Sequence, residues 1–316
     1  MRISTGGRPG LRPTKTGIAG EVERFEQLES DGFSSAWAGN HVGHDAMTIL
    51  AFAGSVTTRI ELGTSIVATY PRHPMVMAQQ ALTTNLATGG RFTLGIGLSH
   101  QFIVESWQGL RWAPPLRHLR EYLSVLVPLL EGKLVKFEGR EFQVHLNSAP
   151  YNKLEVPETG RPQVLVAALG PGMLRVTGEL ADGTTASFCG PNYLETTVVP
   201  TITQAAQAAG RPSPRIMAGF SIALTKEVDS ARESCSRGRE IYPYIKSYRQ
   251  VMTSEGVSGP GDLAIVGDEQ DLRRQLKHLE GIGVTDFSGG ILAVPEDADA
   301  PSRTYEFLKD VAKNGL

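Results

Sequence analysis

Two histidines follow short apolar segments that are typical of buried strands. His100 ends the run Arg91-Phe92-Thr93-Leu94-Gly95-Ile96-Gly97-Leu98-Ser99-His100, and His41 follows Trp37-Ala38-Gly39-Asn40. An imidazole titrates near neutral pH, so a histidine at a strand end can give or take a proton in a reaction beside it. Both histidines are therefore candidate acid–base groups, although His41 could instead only form a hydrogen bond at the rim of the fold.

Glycines and small residues mark three predicted strand ends. Gly95-Ile96-Gly97 is not followed by a third glycine that opens a helix, which argues against a dinucleotide site. Gly63-Thr64-Ser65-Ile66 places small polar residues where Val or Leu would pack better, and this predicts a bulge or a ligand close to the backbone. In Ala167-Ala168-Leu169-Gly170-Pro171-Gly172-Met173 a glycine turn opens a helix, whose free N–H groups suit a phosphate.

Metal binding is not expected from the histidines or the cysteines. His41 and His44 lie three residues apart, but no complete set of metal ligands accompanies them. Cys189 and Cys235 are far apart in the chain and outside any Cys-x-x-Cys spacing. Neither a disulfide framework nor a structural zinc site is therefore supported.

The composition is that of an ordinary globular protein. The 316 residues are 41% hydrophobic and 20% charged, which suits one large α/β domain with a full core. A formal net charge of -2 gives no electrostatic reason to expect nucleic acid. No apolar segment approaches the roughly 20 residues of a membrane span, and no secretory signal is recognisable at the N-terminus. We therefore expect a cytoplasmic protein without nucleic-acid or membrane partners.

Predicted strands alternate with amphipathic helices along the whole chain, which favours a single domain over residues 1–316. The eight predicted strands are Arg2–Thr5, Phe33–Ala38, Ile60–Thr69, Phe92–Gly97, Gln163–Leu169, Gly183–Phe188, Ile216–Thr225 and Asp286–Val294. The predicted helices include Gly20–Asp31, Asp45–Thr58, Met75–Ala87, His118–Leu130, Asp229–Arg249, Asp271–Gly281 and Ser302–Lys313. This order predicts a (β/α)8 (TIM) barrel, whose functional groups lie at the carboxyl ends of the strands.

Two segments exceed the bare barrel. Near residues 132–161, the apolar pattern of residues 134–144 predicts a hairpin inserted after the fourth helix. Near residues 248–267, Gly256, Gly259 and Gly261 predict a mobile loop. Long segments after barrel strands commonly build or cover the site.

These segments, in this order, resemble the luciferase-like flavin and deazaflavin oxidoreductases, and within them the branch that uses coenzyme F420. The resemblance covers nearly the whole chain, and the ordered set is more specific than any single motif. The matching segments are Gly32-Phe33-Ser34-Ser35-Ala36-Trp37, Gly63-Thr64-Ser65-Ile66, residues 89–97, Leu180-Ala181-Asp182-Gly183, Val266-Gly267-Asp268 and residues 281–287.

The resemblance implies where the cofactor lies. In this family a bulge in the third strand, often with a non-proline cis peptide, backs the tricyclic ring; by position that bond joins Ser65 to Ile66. The cofactor phosphate is expected at the turn that runs through Ala168 and Leu169 into Gly170-Pro171-Gly172-Met173. Its phospholactate region is expected near Gly97-Leu98-Ser99-His100.

Asn40 and His41 stand where sugar-phosphate dehydrogenases of this family carry an Asp-His pair. Those enzymes also have a tryptophan shortly after the histidine and an acid after the Gly-x-Gly turn. This chain has no nearby tryptophan and has His100 in place of the acid, which argues against a sugar-phosphate substrate. His41 is the expected proton donor, and His100 is the reserve candidate.

The implied function is hydride transfer between coenzyme F420 and a small organic substrate, most simply as a reductase. Two alternatives stay open: an FMN-dependent monooxygenase on the same barrel, and a non-catalytic flavin-binding or deazaflavin-binding protein. The family's habit of pairing barrels predicts a homodimer. The basic loop of residues 6–15 could reach the acidic cofactor tail, or be only a solvated surface segment. The aromatic residues Trp107, Trp112, Tyr242, Tyr244 and Tyr248 could line a substrate pocket, although packing in the core is the more ordinary role.

Overall fold

Parallel strands and helices alternate in the computed structural model, which describes residues 1–7, 9, 15–39, 43–146 and 153–316. The strands are β1 (Arg2–Thr5), β2 (Ser35–Ala38), β3 (Glu61–Thr64), β4 (Val67–Ala68), β5 (Phe92–Gly97), β6 (Lys136–Glu138), β7 (Gln143–His145), β8 (Gln163–Val166), β9 (Gly183–Ser187), β10 (Arg215–Leu224), β11 (Ile265–Gly267) and β12 (Asp286–Ile291). The helices are α1 (Gly17–Asp31), α2 (Ala46–Val56), α3 (Pro74–Ala87), α4 (Pro115–Leu130), α5 (Pro171–Leu180), α6 (Pro191–Tyr193), α7 (Val199–Ala208), α8 (Val228–Ser236), α9 (Lys246–Glu255), α10 (Glu269–Gly281) and α11 (Ala300–Asn314). A π-helical turn, Leu194–Val198, joins α6 to α7.

The main sheet closes into a barrel. Its hydrogen-bonded order is β1, β12, β10, β9, β8, β5, β3, β2. Beside β2, the Ser34 N–H donates to the carbonyl oxygen of Ile3 in β1 at 3.4 Å, which brings the two edges of the sheet together. The predicted (β/α)8 barrel is confirmed, and each of the eight predicted strand segments contains an observed strand.

Side chains alternate between the two faces of each strand, and the two faces differ in composition. The outer face carries residues such as Leu62, Leu94 and Val164, which pack against the helices in the main hydrophobic core. The inner face carries Trp37, Leu165 and Met217 at mid-height, where they form a separate buried cluster. The interior is therefore a filled core at this level, as expected for a barrel of eight strands.

Charged side chains fill the amino end of the barrel. The Arg215 guanidinium donates to Asp286 at 2.9 and 2.6 Å and to Glu61 at 2.6 Å, and Arg2 also binds Glu61. Burial disfavours the charged form of Arg215, but the hydrogen bonds to Asp286 and Glu61 outweigh it and raise the Arg215 pKa. This network links β1, β3, β10 and β12 at the amino ends of the strands. Residues at this end of a barrel ordinarily stabilise the fold and do not take part in catalysis.

The two segments beyond the bare barrel differ in how well the sequence predicted them. The hairpin is confirmed: β6 and β7 pair antiparallel. The carboxylate of Glu121, on α4, accepts backbone N–H bonds from Arg140, Glu141 and Phe142 and so holds the turn of the hairpin. The prediction of a mobile loop near 248–267 was wrong. This segment contains most of α9, a 3-10 turn (Pro260–Leu263) and β11, which pairs with β10.

The predicted helix Asp229–Arg249 was also wrong in its length. The chain forms α8, breaks, and starts α9 again at Lys246. Arg237, the C-cap of α8, already has an extended conformation; Gly238 follows with a φ of 74°, and Pro243 lies within a 3-10 turn. The apolar periodicity continues across this break, which is why the sequence pattern did not reveal it.

Candidate active site

The carboxyl end of the barrel, called the mouth below, is lined by small inner-face residues. Following the alternation of each strand, the inner face of this end carries Ser4, Gly97, Ala167, Ser187, Ser221 and Gly290. Gly290 is exposed although β12 lies between β1 and β10 in the sheet. Water therefore reaches the inner face at the mouth, whereas bulky side chains fill the barrel below it. Such an opening at the strand ends is the usual place for a ligand in this fold.

A bulge in the third strand forms one side of the mouth. The strand stops at Thr64 and resumes as β4, and the peptide between them, Ser65–Ile66, is cis, as the resemblance predicted. The Ser65 N–H donates to the carbonyl oxygen of Ala38 in β2 at 2.8 Å. On the other side, the hydroxyl of Thr64 donates to the Gly95 carbonyl and accepts from the Gly95 N–H, both at 2.8 Å. The bulge is thus held by both neighbouring strands.

The two glycines of β5 make room for this bulge. A Cβ atom built on Gly95 would lie 1.9 Å from the Thr64 carbonyl oxygen. A Cβ atom on Gly97 would lie 2.7 Å from Cδ1 of Ile66 and 3.2 Å from Cβ of Ala167. The Gly-x-Gly spacing therefore has a packing cause in the neighbouring strand, and it brings Ile66 against the backbone of β5.

The predicted residues after β5 lie at the mouth. Leu98 packs on the main core, Ser99 has a φ of 65°, and His100 is half-buried. The His100 ring lies 5.9 Å from the ring of Phe102 and 5.8 Å from that of Tyr248. The left-handed turn at Ser99 carries the chain away from the strand direction, so His100 belongs to the rim of the mouth.

Asn40 and His41, the predicted acid–base pair after β2, lie outside the described residues. The described structure resumes at Gly43, and Asp45 then caps α2 by accepting the Thr48 N–H at 2.9 Å. Asp45 also forms an ion pair with Arg72. Asp45, at the start of α2, is therefore anchored to the segment between β4 and α3.

The predicted phosphate turn follows β8. Ala168 is buried, Leu169 is half-buried, and Gly170 is the N-cap of α5, with Pro171 in its first turn. No side chain caps this helix, and its first turn, which includes Gly172 and Met173, carries no acidic residue. Backbone N–H groups at such a helix start are free to bind an anion. The nearest atom to a Cβ on Gly172 would be a Leu116 methyl group 3.6 Å away, so the turn has space beside it.

Tyr193, which sequence reasoning missed, holds the phosphate turn from behind. Its side chain is 3% exposed, and its hydroxyl donates to the carbonyl oxygen of Leu169 at 3.0 Å. The Tyr193 N–H in turn donates to the carboxylate of Glu255, at the end of α9. Burial raises the pKa of both Tyr193 and Glu255. The two bonds connect the inserted helix α9 to the turn through one residue.

A second missed residue is His118, which entered the sequence prediction only as the first residue of a helix. Its side chain is 3% exposed; Nε2 lies 3.0 Å from the Thr69 hydroxyl, and the ring stacks on Tyr70 with centroids 4.0 Å apart. The Thr69 N–H donates to the Gly97 carbonyl at 2.9 Å. Burial lowers the pKa of His118 to about 4, so the ring is neutral at pH 7. His118 therefore supports the strand behind the bulge rather than acting as an acid.

Six aromatic rings, called the aromatic wall below, form one continuous series of contacts that joins the segment after β5 to the segment after β9. Neighbouring ring centroids are 5.9, 5.9, 5.8, 4.6 and 4.9 Å apart along the order Trp107, Phe102, His100, Tyr248, Tyr242, Phe188. The Arg239 guanidinium lies over the last ring of this series, 4.9 Å from the centroid of Phe188. Burial raises the pKa of Tyr248 to about 12, so its hydroxyl is neutral at physiological pH. Trp112, by contrast, stacks on Tyr70 away from the wall.

Two negative observations apply to the described residues only. They contain no group of three or more His, Cys, Asp or Glu side chains arranged to hold a metal ion, and the two cysteines are free and buried. Within the same residues, every helix is too short or too polar to traverse a bilayer.

The parallel barrel and the small residues around its open mouth define a (β/α)8-barrel enzyme. Residues 1–286 match the sequence family described as luciferase-like monooxygenase. The chain belongs to this family, which identifies it as an oxidoreductase with relatives in the F420-dependent branch.

Two named relatives and one solved structure are similar to this chain over most of its length. The chain is 27% identical to the 5,10-methylenetetrahydromethanopterin reductase of Methanopyrus kandleri, over 98% of this chain and 88% of the relative. It is 29% identical to the F420-dependent glucose-6-phosphate dehydrogenase of Kineococcus radiotolerans, over 84% and 83%. The FMN complex of the oxygenating constituent of 3,6-diketocamphane monooxygenase from Pseudomonas putida has a TM-score of 0.71 at 17% identity, with 98% and 96% coverage. The last comparison bears on the fold alone.

Proposed function

We propose that this chain is a coenzyme F420-dependent oxidoreductase that moves hydride between the deazaflavin and a small organic substrate, with reduction of the substrate as the expected direction. The observation that carries the proposal is the bulge between β3 and β4, whose Ile66 side chain packs against the side-chain-free backbone of Gly97 at an open barrel mouth. The names of F420-dependent relatives support deazaflavin over FMN.

The residues at the mouth fit such a cofactor. A deazaflavin is a planar tricycle with a phosphate-bearing tail, and when bound it supplies or accepts the hydride. Ser65 and Ile66 offer a backbone surface for the ring, and Gly97-Leu98-Ser99-His100 would line its tail. The uncapped start of α5, Gly170 to Met173, offers N–H groups to the phosphate, and Ala168 and Leu169 position that turn.

One proton must accompany each hydride that reaches a carbonyl, imine or activated double bond. We expect His41 to give it, with Asn40 beside it, and His100 to be the alternative donor. His100 lies at the rim, and His41 follows β2, whose end hydrogen-bonds to Ser65. Either imidazole can act at neutral pH when it is within hydrogen-bond or one-water reach of the substrate.

The cofactor is tested by titrating the purified protein with oxidised F420, reduced F420 and FMN, followed by fluorescence. The proposal expects micromolar binding of the deazaflavin and weaker binding of FMN. Tight binding of FMN alone would overturn it in favour of the monooxygenase branch, whose fold is the same. Binding of neither ring would overturn it as well.

We further propose a homodimer formed through α2 and α3. These two helices are neighbours and contain no charged residue, yet Phe52, Val56, Val76 and Leu86 expose 41–66% of their side chains. An uncharged surface of this kind is self-complementary about a twofold axis, so a second copy of the chain is the occupant we expect. Light scattering should give a dimer mass for the natural chain and a monomer mass for Phe52→Glu. Ile18→Glu, an exposed site on α1, is the control that should stay dimeric.

A further inference from the structure

The aromatic wall exposes two of its rings strongly beside the mouth, and Tyr242 and Tyr248 are half-buried. Trp107 is 66% exposed and Phe102 is 41% exposed, and both belong to the segment after β5. Phe188, with a φ of 56°, is the first residue after β9. β8 lies between β5 and β9 in the sheet, so the wall spans the ends of three neighbouring strands. Exposed aromatic side chains at the strand ends of a barrel indicate a ligand-binding surface.

Two rings between α8 and the end of α9 stack on each other, and one of them meets the barrel residue Phe188 edge-on. Tyr242 and Tyr248 stack with an interplanar angle of 13°, and Phe188 meets Tyr242 edge-on at 82°. The Glu255 carboxylate binds the Tyr193 N–H, which fixes the end of α9 to the chain after β9. The rings therefore have fixed positions relative to the phosphate turn, because Tyr193 also bonds Leu169.

Within the described part of the chain, no guanidinium or ammonium group stacks on Tyr242 or Tyr248, and one cation contacts the wall at Phe188. Arg239 lies over Phe188 and donates to the carbonyl oxygen of Cys235. Stacked tyrosines select by shape and by their π-faces, which favour another planar ring over a saturated group of equal size. These two tyrosine rings offer no charge to an anionic sugar phosphate, which agrees with the tryptophan and the acid that the sequence lacks after β2 and β5.

We propose that the substrate carries a planar, uncharged aromatic group, which binds against Tyr248 and Tyr242 while its reacting carbon faces the mouth. This inference rests on the proposed function for the reaction, but the aromatic selectivity is a property of the wall alone. It can therefore be measured by binding, without turnover.

The test uses two unreactive probe ketones of similar size, 4-phenyl-2-butanone and 4-cyclohexyl-2-butanone. Calorimetry measures their affinity for the protein saturated with oxidised F420 and for the ligand-free protein. The phenyl ketone should bind about 3- to 10-fold more tightly, since aromatic pairs gain this much beyond the area that they bury. Tyr248→Leu and Tyr242→Leu should each abolish the preference. Tyr248→Phe, which keeps the ring, and Tyr244→Leu, a tyrosine of the same segment that is 81% exposed, should retain it.

Equal or tighter binding of the cyclohexyl ketone would overturn the proposal, as would a preference that survives in both leucine variants or the binding of neither ketone. Circular dichroism identifies a leucine variant that does not fold, and the other variant then decides. One further result is a protein that fails to bind F420 and still prefers the phenyl ketone when it is ligand-free. That result would overturn the proposed cofactor but would support the proposed aromatic selectivity. The two proposals can thus fail separately.

Discussion

The position that a side chain on Gly97 would occupy is already filled by Ile66. A Cβ atom there would lie 2.7 Å from Cδ1 and 3.0 Å from Cγ1 of Ile66, whose preceding peptide bond is cis. We expect Gly97→Ala to push Ile66 toward the ring site, to cost about 1–3 kcal/mol of stability by overpacking, and to weaken deazaflavin binding. Urea unfolding and a fluorescence titration of the cofactor measure the two effects.

The second residue of the pair supplies the control. Ile66→Val removes Cδ1, so the double variant Gly97→Ala/Ile66→Val should recover much of the lost stability in a double-mutant cycle. Gly95→Ala should not be rescued, because its Cβ would lie 1.9 Å from a backbone oxygen, that of Thr64. Additive effects of Gly97→Ala and Ile66→Val would show that the two positions do not compete for space.

Gly172→Asp should separate cofactor binding from folding. An acidic residue in the first turn of α5 interacts favourably with the helix dipole, so stability should stay equal or rise by about 0.3–1 kcal/mol. The same charge repels a bound phosphate, so deazaflavin affinity should fall by on the order of 100-fold. Gly172→Asn has the same shape without the charge and should bind within a few-fold of the natural chain. Unchanged affinity in the aspartate variant would mean that the phosphate lies elsewhere.

Tyr193→Phe should loosen the phosphate turn without touching the cofactor. Removing the hydroxyl leaves the Leu169 carbonyl without its 3.0 Å donor, at a cost of about 1 kcal/mol in stability. We expect deazaflavin affinity to fall by about 5-fold, because the turn must keep its geometry to bind the phosphate. The protein should still bind F420 more tightly than FMN. A loss of about 1 kcal/mol in stability with no change in either affinity would limit Tyr193 to a packing role.

The strands and the bulge could be predicted because their signals are local. β1 and β5 have the predicted bounds, and Gly63-Thr64-Ser65-Ile66 predicted the bulge, whereas the cis bond was expected only from the family resemblance. Contacts that join distant segments have no such signal. Tyr193 meets Leu169 across 24 residues and Glu255 across 62, and nothing in the local pattern distinguishes it from other buried tyrosines. The same holds for His118, which reaches Thr69 across 49 residues.

The break between α8 and α9 was missed for a different reason. Its apolar spacing continues through Gly238, but the backbone leaves the helical conformation at Arg237, before that glycine and before Pro243. The glycines near 256–261 led to the opposite error, the prediction of a loop where the chain forms short regular elements. Gly256 ends α9 with a φ of 70°, and Gly259 and Gly261 belong to a 3-10 turn that leads into β11. Glycine content alone predicts turns and does not distinguish a long loop from short elements joined by caps.

His118 should make the protein acid-sensitive in a defined window. Its pKa is about 4 in the fold and about 6.5 in an unfolded chain. Between these values the unfolded state binds more protons, so stability from this group is complete above pH 6.5 and falls as the pH drops toward 4, by on the order of 2 kcal/mol. His118→Gln should be less stable than the natural chain at pH 7 and should lack this part of the pH dependence. Parallel urea curves at pH 4.5 and 7 measure it, and an equal loss in both proteins would assign the effect to carboxylates.

The proton donor is distinguished by variants of the two histidines. His41→Ala should lower turnover by on the order of 10²–10⁴-fold with cofactor affinity nearly unchanged, because proton transfer contributes in the transition state and not to ground-state binding. His100→Phe keeps a ring between Phe102 and Tyr248 in the aromatic wall while removing the titratable group, so any loss there reports proton transfer rather than packing. Single-turnover kinetics with reduced F420 compare the two. Full activity in His41→Ala with a loss in His100→Phe would transfer the role to His100, and full activity in both would assign the proton to solvent or to the substrate itself.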